Sequence, residues 1–240
     1  MSDKVALTDI FNFLITCEHG GNRIPQCYQQ FFGGFESLLR SHRGYDRGTL
    51  RMAKELAKAL DAPLFAGTTS RLLIDLNRSL RHPQLYSKAI QSAPVEVRSE
   101  ILARHYMPYR TVAEASIAEA IGRGEKIIHI SSHSFTPELN GQIRNADIGL
   151  LYDPSRPLER DLCMRWQANL KARAANLTVR RNYPYAGRAD GFVTYLRRRF
   201  SADTYVGIEL EINQKHVLEG GPQWRELRSV VLETLQKAVA

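Results

Sequence analysis

Two histidines, an aspartate and two glutamates, His19, Asp46, His133, Glu209 and Glu211, are of the types that could act together on one reacting group. Alone, each has an ordinary explanation. A single histidine is more often a hydrogen-bonded structural group, and Asp46, just ahead of an apolar stretch at helical spacing, has the position of a helix N-cap. Two histidines and one carboxylate with an open fourth position, however, are the ligand set of a catalytic zinc. Imidazole and carboxylate suit its borderline softness, and the open position admits water. A further carboxylate beside that water would serve as general base. Glu209 and Glu211 are two apart in a strand-like run, so they share a face and spacing does not rank them. His129 lies on the same face as Ser131 and His133 and is the rival ligand, although its place among Ile127, Ile128 and Ile130 favours the core.

Arg78 and Arg144 are the candidate anion binders, because a guanidinium fork matches a carboxylate and can also stabilise an oxyanion. Asn22, at the end of Glu18-His19-Gly20-Gly21-Asn22, is a candidate substrate-binding amide. The turn-rich stretch 182–191 reads either as a substrate loop or as a plain connection. Ser131, Ser132 and Ser134 raise serine hydrolysis, but no Gly-x-Ser-x-Gly elbow is present. Phosphate-binding and dinucleotide-binding glycine loops are absent too.

These residues need rigid elements to hold them. Apolar, β-branched runs at 13–17, 63–65, 72–76, 126–132, 148–152, 177–179 and 205–212 read as strands. Helical spacing predicts helices at 47–60, 95–121 with a kink at Pro108, 158–175, 192–198 and 223–239. Strands that alternate with helices, and are apolar throughout rather than strictly alternating, predict an α/β fold. Its mainly parallel or mixed twisted sheet would be covered by helices on both faces, in three layers. Ligands in such sheets bind beyond the carboxyl ends of the strands, where the residues above fall. No repeat or linker divides the chain, so residues 1–240 read as one domain.

Composition narrows the function classes. The chain has 43% apolar residues and no apolar run of membrane-spanning length, and its start, Met-Ser-Asp-Lys, lacks a signal-peptide pattern; a cytoplasmic protein with no membrane partner is expected. The formal charge of +8 would attract polyanions, but no nucleic-acid-binding signature accompanies it, so the charge reads as a solvated basic face or as recognition of a small anion, with no nucleic-acid partner expected. Cys17, Cys27 and Cys163 lack paired spacing and read as free thiols.

Five segments taken in order resemble the N-formylglutamate amidohydrolase family: Cys17 to Pro25, Asp75-Leu76-Asn77-Arg78, His133 to Pro137, Arg144 to Tyr152, and Gly207 to Gln214. Asp75-Leu76-Asn77-Arg78 is similar to a stretch of aspartoacylases and succinylglutamate desuccinylases in which the asparagine and arginine face the substrate. The series His19-Gly20-Gly21, Asp46, Ser132-His133 and a late glutamate is similar to zinc N-acetylmuramoyl-L-alanine amidases, with Asp46 in place of the usual glutamate. The resemblance implies the phosphorylase/hydrolase-like α/β fold shared with zinc carboxypeptidases. It also implies a Zn2+ cofactor held by His19, Asp46 and His133, and it favours Glu211 over Glu209 as base. Arg78 would polarise the scissile carbonyl, while Arg144 or Asn77 would hold the substrate carboxylate. Glu18 departs from the pattern, standing where the histidine-pathway enzymes tend to have proline. The expected reaction is hydrolysis of an N-acyl amino acid, first of all N-formyl-L-glutamate to formate and L-glutamate. The alternatives are a zinc amidase or carboxypeptidase acting on a peptide or muropeptide, and a non-catalytic small-anion binding protein.

Overall fold

Odd-numbered and even-numbered residues of the central strands face opposite ways, and this alternation organises the molecule. The computed structural model describes residues 11–240. Its strands are β1 (Phe11–Cys17), β2 (Leu64–Ala66), β3 (Lys126–Phe135), β4 (Glu138–Leu139), β5 (Gln142–Ile143), β6 (Ile148–Leu151), β7 (Val179–Arg181) and β8 (Tyr205–Asn213). Its helices are α1 (Glu36–Arg40), α2 (Thr49–Ala59), α3 (Lys88–Gln91), α4 (Val95–Ile101), α5 (Met107–Gly122), α6 (Pro157–Arg173), α7 (Phe192–Arg199), α8 (Gln214–Glu219) and α9 (Gly221–Val239). Six strands form one mixed sheet in the order β2-β1-β3-β8-β6-β7, in which only the β6–β8 pairing is antiparallel; β4 and β5 make a separate hairpin. With helices on both faces this is a three-layer α/β fold.

Ile128, Ile130, Ile208, Leu210 and Ile212 on one face pack against Met52 and Leu56 of α2, Leu162 and Trp166 of α6, and Leu235 of α9. Truncating any fully buried leucine or isoleucine of this layer to alanine is expected to cost about 2–5 kcal/mol. The other face starts apolar, with Leu14, Ile127 and Tyr205 against Ile117 of α5 and Phe192 of α7. Further along the same face come His129, then Ser131, His133, Glu209 and Glu211, all buried. One face therefore changes from core to chemistry along its length.

Three expectations change. β3 does not stop at 132 but continues to Phe135, because β8 pairs with it in register as far as Asn213; His133 thus lies inside a strand, directly opposite Glu211. Residues 72–76 are not a strand. Their apolar side chains are buried as a turn-rich segment in a satellite core with Tyr28, Phe32, Leu85, Ile90 and Ile101, which satisfies the same hydrophobic run without a ladder. The long helix 95–121 is interrupted by a π-helical turn, Leu102–Tyr106, and Pro108 sits in the first turn of the α-helical segment that follows.

Candidate functional site

The carboxyl ends of β1, β3 and β8 converge on one pocket. His19 follows β1 by two residues, in a turn whose Gly20 N–H donates to the Gly67 carbonyl (2.9 Å). Asp46 approaches from the start of α2 but does not cap it: Gly48, at φ +83°, holds the cap position, and the Asp46 carboxylate turns inward instead. Ser132 and Ser134, on the opposite face from His133, fix that approach by donating to the carbonyls of Thr49 (3.2 Å) and Arg47 (2.9 Å). Their hydroxyls are thereby committed to structure.

Asp46 Oδ2 lies 3.1 Å from His133 Nδ1 and 3.4 Å from His19 Nδ1. Behind each ring stands a second carboxylate, with His19 Nε2 2.7 Å from Asp75 Oδ1 and His133 Nε2 3.1 Å from Glu18 Oε2. A carboxylate at Nε2 favours a proton there and leaves the Nδ1 lone pair free to act as a ligand. One donor atom from each of His19, Asp46 and His133 lies within 4.8 Å of the others. Buried His19 Nδ1 and Glu211 Oε2 have no hydrogen-bond partner. Orphaned buried polar atoms are rare, and here they face a donor set suited to a divalent metal.

Burial works against every charge in this cluster, and the neighbours decide the outcome. Burial raises the Asp46 carboxyl, but Arg71 and the two histidines outweigh it and hold the group well below the carboxylate range. Burial lowers His133, yet Asp46 and Glu18 leave it well above its ordinary value. Glu211 has no such partner. Burial, reinforced by Asp46 and Glu209 against the opposing pull of His133, lifts it to about 8, and burial raises Glu209 as well.

These groups line a cavity of about 290 Å³ together with Asn77, Arg78, Arg144, Tyr185 and Asp190. Arg78 is half-buried and donates to the Asp190 carbonyl (3.2 Å). Arg144 stacks on Tyr185 and Phe135, at 5.2 and 5.9 Å from the ring centres, and donates to the Tyr185 hydroxyl (3.2 Å). The stretch 182–191 thus forms one wall rather than a remote connection. Gly149, opposite Glu211 in the register, leaves room there, since a Cβ would strike the Tyr183 carbonyl.

Two candidates are placed elsewhere. Exposed Asn22 lies outside this cavity and donates its side-chain amide to the Leu39 carbonyl (3.0 Å), so it is corrected from a substrate contact to a loop tie. His129 has both ring nitrogens engaged in the core, at 2.7 Å from Thr16 Oγ1 and 2.7 Å from Tyr205 Oη, and does not reach the cluster. His42 and Arg71 also line the cavity, and nothing in the sequence pattern singles out Arg71. Arg71 Nη2 donates to Asp46 Oδ1 (2.6 Å), so only Oδ2 points at the histidines. Nothing in the local sequence marks Arg71, whose partner is far off in the chain; only its nearness to Asp75 hints at the site.

A buried His/Asp/His cluster with flanking carboxylates at the strand ends of a three-layer α/β fold is an arrangement suited to hydrolytic chemistry. The profile of the N-formylglutamate amidohydrolase family matches residues 11–218, and the chain belongs to that family; it is an enzyme that acts on amides. Among solved structures, a gene product from Agrobacterium tumefaciens is similar at 30% identity, with 97% of this chain and 92% of that chain covered and a TM-score of 0.80. The N-formylglutamate amidohydrolase from Ralstonia eutropha is similar in fold at 19% identity, with 95% and 93% covered and a TM-score of 0.67. No curated protein matches the chain.

Proposed function

We propose that the chain is a zinc-dependent amidohydrolase that cleaves N-acyl amino acids, with N-formyl-L-glutamate the first substrate to test. The observation that carries this reading is the convergence of His19 Nδ1, His133 Nδ1 and Asp46 Oδ2 in a cavity whose walls hold Glu211 and three guanidinium groups. His19, Asp46 and His133 would hold the ion, which when bound supplies Lewis acidity and lowers the pKa of a water from about 15.7 to roughly 7. Asp75 and Glu18 keep the two imidazoles oriented for it.

Glu211 takes the proton of the attacking water and passes it to the departing amide nitrogen. Its carboxylate is buried and has no hydrogen-bond partner of its own, which leaves it available for that relay. Arg78 faces the scissile carbonyl and stabilises the oxyanion as it forms, while Arg144, placed over the Tyr185 and Phe135 rings, takes the substrate carboxylate. Glu209, one pleat behind Glu211, adds negative field and stands second as base. The products of the first substrate would be formate and L-glutamate.

A panel of formyl, acetyl and succinyl amino acids, with muropeptides as the contrasting class, assayed with and without a chelator, tests the reading. Turnover of an N-acyl amino acid that chelator abolishes and zinc restores supports it. Chelator-resistant turnover, or turnover of muropeptides alone, defeats it.

A further inference from the structure

Arg110 of α5 is a buried cation that none of the steps above uses. Its guanidinium carbon lies 4.4 Å from the centre of the Phe192 ring, 4.6 Å from that of Tyr195 and 5.1 Å from that of Tyr106. Its Nη1 donates to the carbonyls of Leu76 (3.2 Å) and Arg78 (3.3 Å), and the Tyr106 hydroxyl donates to the same Arg78 carbonyl (2.7 Å). Phe192, the ring nearest the guanidinium, donates its backbone N–H to Asn77 Oδ1 (2.7 Å). We propose that Arg110, in its aromatic box, is a positioning residue that fixes the turn Asp75–Arg78 and through it the aim of Arg78 into the cavity.

The physical need is plain. The turn carries three site groups in four residues, Asp75, Asn77 and Arg78, yet it lies outside the sheet, so no ladder holds it. A delocalised cation, weakly hydrated and stackable, can be buried against π faces while its N–H groups gather carbonyls two residues apart, which constrains the backbone between them. The π-helical turn Leu102–Tyr106, just before α5, sets the helical phase at which Tyr106 and Arg110 face the turn together.

The inference rests on the reading of Arg78 as the group that polarises the carbonyl, and the test separates the two. Full-length zinc-loaded Arg110→Met, Arg110→Lys, Arg78→Ala and the Arg110→Met/Arg78→Ala double variant are compared on the best substrate of the panel. Because small misplacements at a reacting centre are costly, Arg110→Met should lower kcat by about 10–100-fold and shift KM by less than about threefold, with zinc content unchanged. Arg110→Lys should recover part of the loss. In the Arg78→Ala background, Arg110→Met should cost less than about threefold more, since the two substitutions remove one effect. A kcat for Arg110→Met equal to wild type, or losses that multiply in full, overturns the inference. If Arg78→Ala itself leaves kcat unchanged, the reading of Arg78 fails. Arg110 is then judged by a crystal structure of Arg110→Met, where a turn 75–78 in its original place overturns the inference and a displaced one supports it. Should Arg110→Met not fold, Tyr106→Phe removes one hydroxyl from the same carbonyl; a lower kcat at an unchanged Tm is expected, and an unchanged kcat overturns the inference.

Discussion

His129 and His133 stand four residues apart on one face of β3, equally buried, and differ in what surrounds them. His129 lies between the neutral hydroxyls of Thr16 and Tyr205, and burial depresses its pKa to about 4. His133 lies between Asp46 and Glu18, and their charges outweigh burial and raise it. The same residue type at the same depth is thus neutral core material at one position and a polarised candidate ligand at the other. Partners, not burial, separate the two roles.

Exchanging the two histidines' fates is the strongest way to break this contrast. His133→Ala is expected to abolish both zinc binding and turnover, whereas His129→Ala should keep zinc at the wild-type ratio. The second variant should instead lose about 1–3 kcal/mol of stability for each buried hydroxyl left unpaired. Metal analysis alongside denaturant unfolding reads both, and equal zinc loss in the two variants would end the distinction.

Glu211→Gln tests the chemistry opposite His133. Removing a general base should lower kcat by about 10²–10⁴-fold with zinc retained, and full turnover at full zinc occupancy would transfer the role elsewhere. Arg71→Met frees Asp46 Oδ1 from its partner. Chelator competition is expected to show zinc affinity weakened by about 10–100-fold, and an unchanged affinity would mean that Asp46 needs no such lock.

The smallest expected effect is a pH dependence of stability from His129. Its folded pKa, about 4, is below the ordinary value of 6.5, so the unfolded chain binds the extra proton. Its contribution is complete above that ordinary value and is lost as pH falls toward the folded one. Unfolding free energy measured along that range should fall for the wild type and fall less for His129→Gln. A group whose folded pKa is raised, as at His133, has the opposite sign, with its contribution lost as pH rises.

Much of the site could be read in advance because strands impose a period of two. That rule put His129, Ser131 and His133 on one face, and Glu209 and Glu211 on one face, and β3–β8 pairing then set His133 beside Glu211. Where no period applies, reading failed. The run Leu72–Leu76 was apolar enough for a strand but was buried by α3, α4 and the segment before them. Asn22 stood beside a glycine turn that does reach the site, yet its amide turned toward Leu39. Arg71 and Arg110 gave no local sign, because each matters only through a partner brought close by folding.

The amino-acid sequence by itself determined the alternation of strands and helices, the face on which each strand residue lies, and the short list of groups able to bind a metal or a carboxylate. Those follow from periodicity and from side-chain chemistry, both local. Only the tertiary structure decided that Asp46 abandons a helix cap to meet two imidazoles, that His129 is satisfied in the core, and that two further arginines hold the site in shape. Those outcomes depend on distances between segments far apart in the chain, which packing sets and local propensity does not encode.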